Sequence, residues 1–102
     1  MRDVTLDDFA AAHATGSAQV VDVREPAEYV AGHVPGATSI PMGQLPDRLN
    51  EIHRSEPVFV ICQSGGRSSA MTDVLRHHGF DAVNVAGGTG AWIRSGRPIK
   101  KG

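Results

Sequence analysis

The sequence predicts an α/β domain with a mainly parallel sheet. Three observations point that way: apolar runs of strand length, amphipathic segments at helical spacing between them, and the alternation of the two kinds across 102 residues. The clearest strand is "PVFVIC", a continuous apolar run bearing Val and Ile, the mark of a strand covered on both faces.

"TLDDFAAAH" opens with Thr5 as an N-cap, Asp8 three residues on, and Leu6, Phe9, Ala10 and His13 along one helical face. "AQVVDV" reads as a buried strand, and "EPAEYVAG" as a brief helix opened by Pro26 and closed by Gly32. The turn "HVPGA" leads to a short apolar piece near "TSI". "LPDRLNEI" sets Leu45, Leu49 and Ile52 at helical spacing, with its proline in the first turn where it is tolerated. After "PVFVIC", the spacing predicts a helix from Ser68 to His78 with Ala70, Met71, Val74 and Leu75 on one stripe and Gly79 at its end. "DAVNVAGG" supplies the last strand and "TGAWIRSG" the last short helix. No repeat, low-complexity tract or linker interrupts the series, and this length predicts one domain, residues 1–102, with a single core.

Composition narrows the function. The chain is 40% hydrophobic and 21% charged with a formal net charge of −1, as in an ordinary soluble globular protein. It has no basic stripe for nucleic acid, no apolar segment long enough for a bilayer and no signal-peptide pattern, so a cytoplasmic location is expected with neither nucleic acid nor membrane as partner. Cys62 is the only cysteine, which excludes an internal disulfide and a multi-thiolate metal site. It is therefore a buried small hydrophobe or a reactive thiol, and out of context the first has precedence.

Its context reverses that order. In an open parallel sheet, ligands gather outside the carboxyl ends of the strands, and Cys62 falls at one. The turn from strand into helix runs through Gln63, Ser64, Gly65, Gly66 and Arg67, and its small residues let successive backbone N–H groups point inward. The helix that follows adds unpaired N-terminal donors and a positive dipole end. These features lower a thiol's pKa and hold an anion beside it, with Arg67 as a bidentate partner.

The loop "CQSGGRS" resembles the active-site loop of single-domain rhodaneses: a cysteine, a glycine three positions later and an arginine two positions after that. "VVDVREPAEYVAGHVPGATSIP" is similar to that family's N-terminal signature and "VAGGTGAW" to its C-terminal one, in the expected order. The resemblance implies a rhodanese-like three-layer domain, a mainly parallel five-stranded sheet with helices on both faces. It also implies a sulfurtransferase that moves a sulfane sulfur from a small donor such as thiosulfate to cyanide or a thiol, through a persulfide on Cys62. Gln63 to Arg67 would cradle sulfur and donor, Arg67 would pair with the oxyanion, and no metal or organic cofactor is required. The partners implied are a small sulfur donor and a thiol acceptor, with a protein as donor or acceptor also compatible.

Two rivals remain. Cysteine-dependent phosphatases of the related fold carry five residues between cysteine and arginine, whereas four stand here, a ring sized for sulfur rather than a phosphoryl group. A binding or regulatory module with a dead site usually shows itself by loss of the cysteine, and Cys62 is present, so what stays open on this side is a sulfur-carrier or regulatory module with weak activity.

Asp22 and Arg24 align with an acidic and basic pair of the family and are expected, with Ser68, to support the loop rather than act in the chemistry, since a charged pair at a strand end is costly unless matched. Glu28 and Tyr29 are expected to be structural, His33 to belong to its turn, His77 and His78 to suit a helix C-terminus, and Trp92 to be a core aromatic. "GGTG" at 87–90 is not a dinucleotide fingerprint.

Overall fold

The computed structural model describes residues 2–102. The elements run β1 (Asp3–Val4), α1 (Leu6–Ala14), β2 (Gln19–Asp22), α2 (Pro26–Ala31), β3 (Thr38–Ser39), two 3-10 turns (Met42–Asp47 and Leu49–Glu51), β4 (Val58–Ile61), α3 (Gly66–His77), β5 (Ala82–Val85) and α4 (Gly88–Arg94). The five strands form one sheet in the order β1-β5-β4-β2-β3, and every pair is parallel. This is the five-stranded parallel α/β sheet that the sequence leads one to expect. No helix among the described residues is long and apolar enough to cross a membrane.

The connections β2 to β3 and β4 to β5 step in opposite directions across the sheet, so right-handed crossovers send their helices to opposite faces. Two apolar clusters confirm it. Val21, Val23, Val58 and Val60 pack with Leu45, Ile52 and Leu75 on the face of α3 and the 3-10 turns. Val20, Ile61 and Val85 pack with Phe9, Val34 and Trp92 on the face of α1 and α4, where Tyr29 of α2 also packs. In β4, Val58 and Val60 face one layer while Phe59 and Ile61 face the other, which is why that stretch is apolar at every position.

Most elements lie where the residue pattern puts them. Thr5 caps α1 through its hydroxyl oxygen, which accepts from Asp8 N at 3.1 Å. Pro26 stands at the start of α2, and Gly79 adopts a φ of +88° just beyond α3. Three details differ. "LPDRLNEI" forms 3-10 turns, because Pro46 brings no N–H and the segment closes with i to i+3 bonds such as Arg48 N to Leu45 O; Leu45 and Ile52 still reach the core. α3 starts at Gly66, and Ala70 is exposed; its buried stripe is Ser68, Thr72 and Leu75, set by the need to hold the loop before it. β1, only two residues on the sheet edge, has no periodicity by which to be read.

Because β2 and β4 sit at the centre, the register that pairs Asp22 with Ile61 brings Arg24 and Cys62, each just past its strand, to the same edge at the switch point of the sheet. Asp22 and Arg24 are both buried there. Arg24 Nε donates to Asp22 at 3.0 and 3.1 Å, and Nη2 donates to Asp22 Oδ2 at 2.8 Å and to Gly32 O at 2.9 Å. Deleting one partner strands the other charge in the interior. Asp22→Ala is expected to cost about 3–5 kcal/mol, whereas the double replacement Asp22→Leu with Arg24→Met costs less than the single one. Urea unfolding of both variants checks this order of stabilities.

Candidate active site

Cys62 is the first residue past β4, and its sulfur points into the loop that follows. The chain turns through Gln63 and Ser64, takes a φ of +111° at Gly65, a conformation that favours glycine, and enters α3 at Gly66. This turn bends the backbone donors back over the sulfur. Gly65 N donates to Cys62 Sγ at 3.1 Å, and the Ser68 hydroxyl lies 3.2 Å from it.

Burial, the largest single influence, pushes the Cys62 thiol up, but donors from the Ser68 hydroxyl and from the backbone of Ser68, Gly65 and Ser64 together outweigh it. The net direction is downward from the ordinary thiol value, so the loop stabilises the thiolate. Ser68 Oγ also lies 2.5 Å from Asn84 Oδ1, and Asn84 Nδ2 donates to Asp3 Oδ1 at 3.0 Å. One hydroxyl proton thus faces two acceptors, the sulfur and the amide oxygen.

The second support comes from "GGTG". Thr89 N donates to Cys62 O at 2.8 Å and Gly90 N to Gln63 O at 2.9 Å, so the start of α4 holds the loop by its carbonyls. Gly88 has a φ of +61°, and a Cβ on it would lie 2.4 Å from Cys62 O. Only glycine fits that approach.

Around this backbone ring the charges are matched. Arg24 reaches the loop through Nη1, which donates to Gln63 Oε1 at 3.2 Å. Arg67 is turned onto Glu28 in a bidentate pair, Nη1 to Oε1 at 2.7 Å and Nη2 to Oε2 at 2.9 Å. Chiefly through that bond, Arg67 brings the Glu28 carboxyl down to about 2 and is itself pushed up. A cleft of about 250 Å³ beside the loop is lined by Arg24, Glu28, Ala31, Gly32, Gln63 and Ile93. A larger hollow, about 350 Å³ among Ala12, Thr15, Glu56 and Phe59, touches none of them.

The structure therefore brings Asp22, Arg24, Cys62, Gln63, Ser64, Gly65, Gly66 and Ser68 to one place, with Arg67 engaged by a carboxylate rather than directed at the sulfur. His33 stacks on Tyr29 at 3.7 Å with Nδ1 at Tyr29 O, and Trp92 is buried with Nε1 donating to Pro98 O; both are structural. Among the described residues no group of three or more His, Cys, Asp or Glu side chains could hold a metal ion. Sequence reading passed over the Glu28 pairing, the Asn84 link and the seating of Gly88. The signals were present: Asn84 is the polar residue within "AVNV", and the close glycines 87, 88 and 90 mark a near approach of backbones.

Alkylation of Cys62 by iodoacetamide is expected to titrate with a midpoint below that of free cysteine, about 8.5. Ser68→Ala is expected to raise the midpoint, because it removes a donor to the anion. The sign for stability follows: a folded pKa below the unfolded one stabilises the fold fully only above about pH 8.5, and this contribution fades as pH falls through the folded value. Gly88→Ala, with its clash and positive φ, is expected to cost about 1–3 kcal/mol and to raise the midpoint as the loop shifts. Thermal melts and rate-versus-pH profiles check both.

Comparison with known proteins agrees with this geometry. A sulfurtransferase of Allochromatium vinosum is 41% identical over 81 residues, 78% of this chain and 76% of that protein. The chloroplastic thiosulfate sulfurtransferase 16 of Arabidopsis thaliana is 39% identical over 93 residues, with 78% of each chain covered. The crystal structure of a rhodanese-like domain protein from Staphylococcus aureus superposes with a TM-score of 0.90 at 35% identity, over 100% of this chain and 99% of that one. Residues 5–95 match the model of the rhodanese-like domain, and the chain belongs to that family.

Proposed function

We propose that the chain acts as a single rhodanese domain, residues 1–102, that transfers sulfane sulfur through a persulfide on Cys62. In the first half-reaction the thiolate attacks the outer sulfur of a donor such as thiosulfate. The S–S bond breaks with its electron pair going to the departing sulfite, and Cys62 carries –S–S⁻. In the second, cyanide or a thiolate attacks that outer sulfur and the Cys62 thiolate leaves. Charge and sulfur oxidation balance at each step without an external redox partner. Gln63 to Gly66 form the donor site, with Arg67 at its edge on Glu28, and Asp22, Arg24 and Ser68 hold it in shape.

The observation that carries this proposal is the ring of donors converging on Cys62 Sγ, with Gly65 N at 3.1 Å and the Ser68 hydroxyl at 3.2 Å. The same ring that lowers the thiol also suits the persulfide anion, whose charge sits one atom further out. With four residues between Cys62 and Arg67, the ring is short for a phosphoryl group, which disfavours phosphatase chemistry. The proposed setting is the cytoplasm, and the partners are a small donor and a thiol acceptor or a protein in either role.

Intact mass spectrometry tests it. Incubation with excess thiosulfate, or with glutathione persulfide, is expected to add the mass of one sulfur atom, removed again by cyanide. Cys62→Ser is expected to abolish the gain and the turnover together while keeping the fold, since serine nearly preserves volume and lacks the thiolate. A sulfur adduct of undiminished yield on the serine variant refutes the assignment.

A further inference from the structure

Charge at the mouth of the loop is arranged against small anions. Arg24 is matched by Asp22, and Arg67 by Glu28, in bonds that use both oxygens of each carboxylate. With Glu25 close enough to act on Arg67, the side chains Asp22, Arg24, Glu25, Glu28 and Arg67 sum to −1 before the Cys62 thiolate is counted. Arg94 of α4 is the arginine without an acceptor among the described residues. Its Nη1 sits by Gly90 and the Gln63 amide, outside the loop: a Cβ on Gly90 would lie 3.1 Å from both nitrogens. A dianion arriving at Cys62 thus meets backbone donors but no free cation inside the loop. Beside it, the cleft floored by Ala31, Gly32 and Ile93 offers room and apolar surface for an organic group.

We propose that Glu28 is a specificity-determining residue: by occupying both ends of the Arg67 fork, it withholds the loop's cation from small dianionic donors and turns the site toward persulfides of organic thiols. This rests on the sulfurtransferase reading of the same site and names its donor class. With a persulfide R–S–SH, the Cys62 thiolate attacks the outer sulfur, the S–S bond breaks toward the inner one, R–S⁻ departs, and Cys62 carries –S–SH. No sulfonate has to be neutralised, so the step does not call on Arg67. The pair is about a third exposed at both side chains, which lets a substitution act on charge without emptying the core. Glutamine at position 28 keeps an oxygen that can accept from Glu25 N, a bond the carboxylate makes at 3.1 Å.

The test measures kcat/KM for sulfur transfer to cyanide from thiosulfate and from glutathione persulfide, in the wild type, Glu28→Gln, Arg67→Gln and the double variant. Glu28→Gln is expected to raise the ratio of thiosulfate to persulfide kcat/KM about tenfold, mainly through KM for thiosulfate, as a freed guanidinium gains charge-assisted bonds. Added salt is expected to erode that gain. Arg67→Gln is expected to cost thiosulfate transfer more in the Glu28→Gln background than in the wild type, because only there is the guanidinium free. An unchanged ratio, or a gain that survives removal of Arg67, overturns the proposal while leaving sulfur transfer intact. Should Glu28→Gln fail to fold, Arg67→Gln alone decides: a loss of about tenfold or more in thiosulfate kcat/KM would mean that Arg67 already binds the dianion. Transfer from neither donor by the wild type overturns the sulfurtransferase reading and this proposal together.

Discussion

A thiolate almost removed from water must be solvated by the protein, and the end of the molecule around Cys62 is organised by that requirement. Sulfur is a weak acceptor, so no single donor suffices. The fold supplies several at once by bending one short segment around the sulfur, which demands a positive φ at Gly65 and an immediate start of α3 at Gly66. A turn so tight leaves the carbonyls of Cys62 and Gln63 directed outward and in need of donors. α4 provides them through Thr89 N and Gly90 N. The glycines at 65 and 88 are thus two halves of one solution, separated in sequence and joined across the sheet edge.

The charged groups follow the opposite logic. Arg24 and Arg67 are each matched by a carboxylate, one pair in the interior and one at the surface. Buried charge has to be paired or it destabilises the fold, and this governs Asp22 and Arg24. No such compulsion applies to Arg67 and Glu28, which are about a third exposed. The surface pair therefore reflects the setting of the site more than the stability of the sheet. The Arg67 bond holds the Glu28 carboxyl down to about 2, so the pairing persists at neutral pH.

How much of this the residues reveal by themselves depends on range in the chain. "PVFVIC" and "AQVVDV" announce strands because their periodicity is local, and the cap at Thr5 is legible for the same reason. "LPDRLNEI" misleads because leucine spacing suits a 3-10 turn nearly as well as a helix over so few residues. The apolar spacing misplaces the helix stripe at Ala70 because Ser68 and Thr72 are buried despite their hydroxyls, a cost met when Thr72 Oγ1 donates to Ser68 O at 2.7 Å. At the site, Cys62 and its turn are contiguous and can be read directly. Glu28 and Asn84, 39 and 16 residues from the groups they touch, become visible only once the sheet has folded.

The edge strand has a bearing on reactivity out of proportion to its length. Asp3 on β1 receives the Asn84 amide, Asn84 meets the Ser68 hydroxyl, and that hydroxyl meets the sulfur. A ladder of two residues at a sheet margin frays far more often than the centre opens. The Asn84 amide nitrogen, shared between Asp3 Oδ1 and Gly65 O, fixes which way its oxygen meets the serine hydroxyl. The margin of the sheet thus has a say in where the serine proton points, three bonds away from a sulfur that it never touches.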